Sequence, residues 1–289
     1  MNNKRIIVPD ILGGYPSRAE PFFACLRQSP AGKSAILDLA GVSWIRPYGA
    51  VALFEGCRFL HHHSHMRVCL TGLQIPVHAY LRRIDFFEHG KDTVYTDENF
   101  SLVNEMNRNS FSSNILEIFP ISASRDIYDV TARVQYILTD CLENTHDDIG
   151  YIVTLISEAC SNVVDHSNDT GIITIQKYKS NNVTQVILGI GDMGQGIRQS
   201  LMATHGSIAS TCAAYIQRAI GGLTARPNER GGLGLGSIQN IAVKSGGSLY
   251  IRSETGSVQV SPSGTVVREN LHFFPGTQVS ITFQGRRWN

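Results

Sequence analysis

The segment Val186-Ile187-Leu188-Gly189-Ile190-Gly191-Asp192-Met193-Gly194-Gln195-Gly196-Ile197 constrains the fold of this chain most strongly. An apolar run of strand length ends in a carboxylate, and glycines follow at once. A buried strand therefore delivers Asp192 to the rim of a core, where an acid can accept a hydrogen bond from a buried amine. Gly194 and Gly196 let backbone approach a ligand closely. Taken alone, an Asp-x-Gly-x-Gly pattern also describes many tight turns.

Two other segments narrow the choice. In Ser157-Glu158-Ala159-Cys160-Ser161-Asn162-Val163-Val164-Asp165-His166, the polar residues Glu158, Asn162 and His166 recur every fourth position. On a helix they make one stripe, while Ile152, Leu155, Ile156, Cys160 and Val163 supply a core face. A polar stripe of this kind also suits a solvated surface. Arg230-Gly231-Gly232-Leu233-Gly234-Leu235-Gly236-Ser237-Ile238 then precedes a helical pattern running to about Lys244. Glycines ahead of a helix turn free N–H groups and the positive dipole end toward an anion. The spacing is not the GxxxxGK[ST] of a P-loop, and no dinucleotide fingerprint surrounds it.

Taken in chain order, 157–166, 186–197 and 230–238, the three pieces resemble the N box, G1 box and G2 box of the GHKL ATPase superfamily. The resemblance covers about residues 113–289 and is nearest to the anti-sigma serine kinases. It rests on Ser157 to His166, on a lid-like Leu223-Thr224-Ala225-Arg226-Pro227-Asn228-Glu229-Arg230-Gly231-Gly232-Leu233-Gly234, and on the closing Gly276-Thr277-Gln278-Val279-Ser280-Ile281. The resemblance implies bound ATP or ADP with Mg²⁺. Asn162 would ligate Mg²⁺ through its amide oxygen. Asp192 would bind the adenine amino group, with Thr277 assisting through water. Gly194 and Gly196 would shape the adenine pocket, and Gly232, Gly234 and Gly236 would wrap the phosphates. Arg226 or Arg230 would offset phosphate charge. Glu158 would be the general base, and residues 197–222 a mobile lid with Gly221-Gly222 as hinge. His166 is read as a helix-end packing residue or a neighbour of the metal site.

Periodicity predicts a strand at 115–121, helices at 126–142 and 148–166, and strands at 171–178, 185–190, 248–253 and 277–283. This predicts an α+β two-layer sandwich over 113–289, with helices on one face of a mixed sheet, as the GHKL (Bergerat) fold would have. Strand and helix also alternate over residues 1–95: a strand at 35–39, a helix at 49–62, a strand at 67–70 and a helix at 76–87. A small α/β domain is expected there, followed by a polar linker at 96–112. The stretch Ala35 to Leu53 resembles the core of a STAS domain, the anti-anti-sigma fold. That family opens a helix with Asp-Ser-Ser/Thr-Gly, whereas Arg46-Pro47-Tyr48-Gly49 stands here. The missing hydroxyl and acid argue against a serine phospho-switch at this turn.

The run His61-His62-His63-Ser64-His65 falls where that first helix ends. It suits a solvated C-terminus, where imidazole favours the dipole, or a transition-metal site. Cys25, Cys57, Cys69, Cys141, Cys160 and Cys212 show no CxxC pair, as expected of free thiols in a reducing cytoplasm. No apolar run approaches the ~20 residues of a membrane span, and the N-terminus lacks the h-region of a signal peptide. With a formal net charge of +1 and no basic block, nucleic acid is not an expected direct partner.

The expected function is a Mg-ATP-binding regulatory protein whose nucleotide state controls docking of another protein, of sigma or STAS type. Relatives of this kind often dimerise, so a homodimer is a further expectation. Three alternatives stand beside it: a protein serine/threonine kinase acting on a separate protein, an ATP-hydrolysing clamp, and ATP as a structural ligand only.

Overall fold

The computed structural model describes residues 4–27, 32–98, 112–139, 146–167, 169–180, 183–225 and 234–285. The chain divides into two compact units, Met1–Ser112 and Ser113–Asn289.

The first unit is a parallel sheet whose strands follow chain order: β1 (Lys4–Ile7), β2 (Ala35–Asp38), β3 (Val68–Thr71) and β4 (Val94–Thr96). Parallel neighbours need long crossovers. Helices supply them: α1 (Glu20–Leu26), α2 (Pro47–Ser64), and the pair α3 (Ile75–Arg83) and α4 (Phe86–His89). The sequence predicts β2, α2, β3 and α3 but not β1 or β4. β1 buries only Ile6 and β4 only Val94, so neither carries an apolar run. Thr96 belongs to β4, and the Glu98 carboxylate accepts the Gly72 and Leu73 N–H groups. The polar segment from 96 thus begins inside this unit; residues 99–111 lie outside the described residues.

Helix α2 starts two residues before its apolar pattern because Pro47, with φ already helical and no N–H to lose, opens it. Its first turn is buried, with Tyr48 3 % exposed. The Arg46 N–H donates to the Leu12 carbonyl at 3.1 Å, and a Cβ on Gly49 would stand 2.0 Å from that same oxygen. A residue at this turn is covered, which adds a steric reason to the chemical one against a phospho-switch here. Gly49→Ala should destabilise this unit by about 1–3 kcal/mol, the usual cost of overpacking, read as a lower denaturant midpoint. At the other end His65 closes α2 in the left-handed region, φ 57°, while His61 and His63 bond the Met66 and Phe59 carbonyls through Nδ1. The histidine run is a helix C-terminus, and the described residues hold no group of three or more His, Cys, Asp or Glu that could share a metal ion.

The second unit has a seven-stranded sheet. Its strands are β5 (Ile115–Ile121), β6 (Gly171–Ser180), β7 (Val183–Gly191), β8 (Ser248–Glu254), β9 (Gly256–Ser261), β10 (Gly264–Arg268) and β11 (Phe274–Gly285), ordered β10-β9-β8-β11-β7-β6-β5. Every pairing is antiparallel, which corrects the mixed sheet expected from the sequence. The cause is the connections. β6–β7, β8–β9 and β9–β10 are joined directly. Between β5 and β6 lie two helices, α5 (Ser124–Thr139) and α6 (His146–His166), which pack together and return the chain to the end it left.

Alternation places one face of the sheet in the core: Ile173 and Ile175, Val186, Leu188 and Ile190, Leu249 and Ile251, Val279, Ile281 and Phe283. The apolar stripes of α5, α6 and α9 (Gly234–Lys244) cover it, giving two layers as expected. The stretch 197–222 is largely helical: α7 (Gly196–His205) and α8 (Cys212–Ile220) bury Leu201, Tyr215 and Ala219 in a small cluster of their own. Thr211 caps α8 by accepting the Ala214 N–H. Among the described residues no helix is long and apolar enough to cross a membrane.

Candidate nucleotide site

One cavity of about 1000 Å³, its open mouth included, lies between the sheet and helices α6, α7 and α9. It gathers Glu158, Asn162, Asp192, Gly196, Gly234 and Thr277 from five separate elements or their ends. Gly194 and Gly236 do not line it. Arg226, Arg230 and Gly232 lie outside the described residues, as does the His166 side chain.

Asp192 sits where β7 ends, 5 % exposed. Its Oδ1 accepts the Gly194 N–H at 2.8 Å, an Asx turn that fixes the carboxylate. Its own N–H donates to the Thr277 carbonyl, and the buried Gln278 amide donates to its carbonyl oxygen at 3.0 Å. Here the glycines are steric necessities. A Cβ on Gly194 would stand 2.1 Å from the Ser167 carbonyl oxygen, and one on Gly276, at φ +73°, 2.1 Å from the Asp192 carbonyl oxygen. Gly194 therefore shapes the pocket from behind, and Gly276 does the same from the β11 side. The Pro275-Gly276 turn signal next to Thr277 is visible in the sequence, but its partner across the fold is not.

Ser253, on β8, ties the near wall together. Its hydroxyl accepts the Ile197 N–H at 2.9 Å, donates to the Gly276 carbonyl at 3.0 Å and lies 3.2 Å from the Thr277 hydroxyl. It thereby anchors the start of α7 to the turn beneath Asp192. Nothing in its local sequence marks it, since the role arises from pairing β8 with β11. Ser253→Ala leaves a buried N–H and carbonyl without this partner and should cost about 1–3 kcal/mol, measured by chemical denaturation. Next to it, Glu254 has φ 53° and packs its side chain against Gly196; burial raises its carboxyl above the usual range.

On the opposite wall, Glu158 and Asn162 stand one helical turn apart on α6. A Cβ on Gly234 would lie 2.0 Å from the Glu158 Oε2 atom, so α9 begins directly against this carboxylate and a larger residue there would push the side chain aside. Gly236 instead faces the Ile220 carbonyl, 2.6 Å from where its Cβ would be. It permits the approach of α9 to the end of α8 rather than lining the cavity. Cys160, on the core side of α6, is fully buried, and burial pushes its thiol up to about 12, so it packs rather than reacts. Between the two polar ends, Ile190, Ile251, Val279, Val163 and Ile197 provide an apolar floor and wall.

The cavity thus brings together a buried carboxylate, an apolar lining, and a helix start beside Glu158 and Asn162. No curated protein matches the chain. A family model, the histidine kinase-, DNA gyrase B-, and HSP90-like ATPase, matches residues 147–284, a span that runs from the start of α6 to the end of β11 and encloses every described wall of this cavity. Residues 147–284 are a domain of that ATPase family.

Proposed function

We propose that this domain binds Mg-ATP in the cavity and that its nucleotide state controls the docking of another protein. The observation that carries the reading is that one space joins strand-end Asp192 to Glu158, Asn162 and the start of α9. A purine amine would donate to Asp192, with Thr277 alongside. The triphosphate would run toward Gly234, where helix N–H groups and dipole favour anions. The positions Arg226, Arg230 and Gly232 would add to that end.

The donor set fits Mg²⁺. Asn162 and Glu158 line the cavity and make no hydrogen bond or ion pair to protein among the described residues. They offer hard oxygen ligands, but too few for an all-protein cage, which suits an ion that keeps waters and phosphate oxygens. Asn162 would hold the ion, which would neutralise phosphate charge. Glu158 would orient and deprotonate the attacking hydroxyl.

Regulation follows if ATP and ADP favour different arrangements of the wall formed by α7 and Leu223, Thr224 and Ala225, because a ligand shifts an equilibrium only through differential affinity. The STAS-like reading of residues 1–95 makes a cytoplasmic switch toward a sigma-type or STAS-type protein the favoured setting, with a homodimer as the assembly and neither nucleic acid nor membrane as direct partner. Hydrogen exchange of residues 197–233 with ATP and with ADP tests it. Different protection in the two states is expected; identical protection contradicts a nucleotide-driven switch. The second reading, a protein serine/threonine kinase, is favoured by the unpaired Glu158 carboxylate in the cavity and predicts transfer of labelled γ-phosphate to protein rather than its release.

A further inference from the structure

Among the described residues, three polar side chains on the cavity wall make no bond to protein: Glu158, Asn162 and Ser200. The other polar groups there are engaged. The Ser167 hydroxyl bonds the Asp169 backbone, Thr277 lies against Ser253, and Asp192 holds the Gly194 N–H. Glu158 and Asn162 have tasks in the reading above; Ser200 has none. It lies on α7, only 8 % exposed. A serine inside a helix can return its hydroxyl to the carbonyl four residues back, here that of Gly196, and Ser200 does not. The hydroxyl is not sealed in protein but open to the cavity that the residue lines, so a bound ligand is placed to be its hydrogen-bond partner.

We infer that the Ser200 hydroxyl bonds a sugar hydroxyl of the bound nucleotide and makes this site discriminate ribose from deoxyribose. This rests on the nucleotide reading. Gly196 and Ile197, at the start of α7, are tied through Ser253 to Thr277 and so to Asp192, the base-amine end. Ser200 follows Gly196 by one helical turn, a displacement of about 5–6 Å, comparable to the depth of a purine. A base seated on Asp192 and the apolar bed brings its sugar, rather than its amine or its phosphates, to that height. The phosphates are directed instead toward α6 and α9, where Glu158 and Gly234 meet. A neutral hydroxyl, both donor and acceptor, suits a sugar hydroxyl.

The test is calorimetric titration of ATP, 2′-deoxy-ATP and 3′-deoxy-ATP, each with Mg²⁺, into wild type and Ser200→Ala. Alanine favours the helix, and a thermal melt checks that the variant is folded. The expected result is an affinity for ATP lowered about fivefold in S200A, the worth of one neutral hydrogen bond, with one deoxy analogue binding wild type and S200A equally. Unchanged ATP affinity in S200A overturns the contact. An equal loss for ATP and both analogues overturns its assignment to the sugar. If wild type binds none of the three, the nucleotide reading itself falls, and this contact with it.

Discussion

Glu158→Gln is expected to lower phosphate release or transfer by about 10²- to 10⁴-fold, the usual contribution of a positioned general base, while Mg-ATP affinity stays within about tenfold. The substitution keeps the side-chain shape beside Gly234, where α9 begins against this carboxylate, so the wall should not rearrange. It removes only the basic oxygen that would take the proton of the attacking hydroxyl. A single-turnover assay with labelled ATP separates the two quantities. Turnover equal to wild type would mean that Glu158 is not the general base. Turnover and binding lost together would instead place Glu158 in the binding machinery.

Asp192→Asn should reverse the preference for the base. In the native site Oδ1 accepts the Gly194 N–H, an arrangement that an asparagine oxygen can keep. The amide nitrogen then replaces the acceptor offered to the base, and a donor facing the adenine amine is repelled. Affinity for ATP should fall about 10- to 100-fold, the worth of a hydrogen bond to a charged group together with an unpaired donor. A 6-oxo purine such as inosine, which presents an acceptor at that position, should lose much less. Competition between ATP and inosine triphosphate, measured on D192N and wild type, decides it. Parallel losses for both nucleotides would show that Asp192 acts through the loop rather than on the base.

The parts of this domain legible in the sequence are those whose cause is local. The stripes of α5 and α6, the apolar strands β6, β7, β8 and β11, and the strand-end acid each follow from spacing within one segment. Asp192, Glu158 and Asn162 stand out within their segments, the family resemblance joins them into one expected site, and the structure brings them to one cavity. Gly236 shows the limit: in sequence it is one more glycine of a phosphate loop, while in the fold it serves the contact with Ile220. Helices α7 and α8 are short and draw their stability from each other and from Leu223 and Leu235, a nonlocal packing that periodicity reads poorly. Strand β10 is exposed at every residue, so it lacks the one-sided burial that makes a strand visible as alternation. Ser253 and Ser200 matter because of where neighbouring elements put them, and both look like ordinary surface serines in the chain.

The account stands most directly on calorimetric titration of ATP and ADP, each with Mg²⁺, into wild type and Asp192→Ala. It predicts micromolar-range binding to wild type, about −8 kcal/mol, abolished in the variant while both proteins melt cooperatively. A folded wild type that binds neither nucleotide, or a variant that binds them as tightly as wild type, would contradict it.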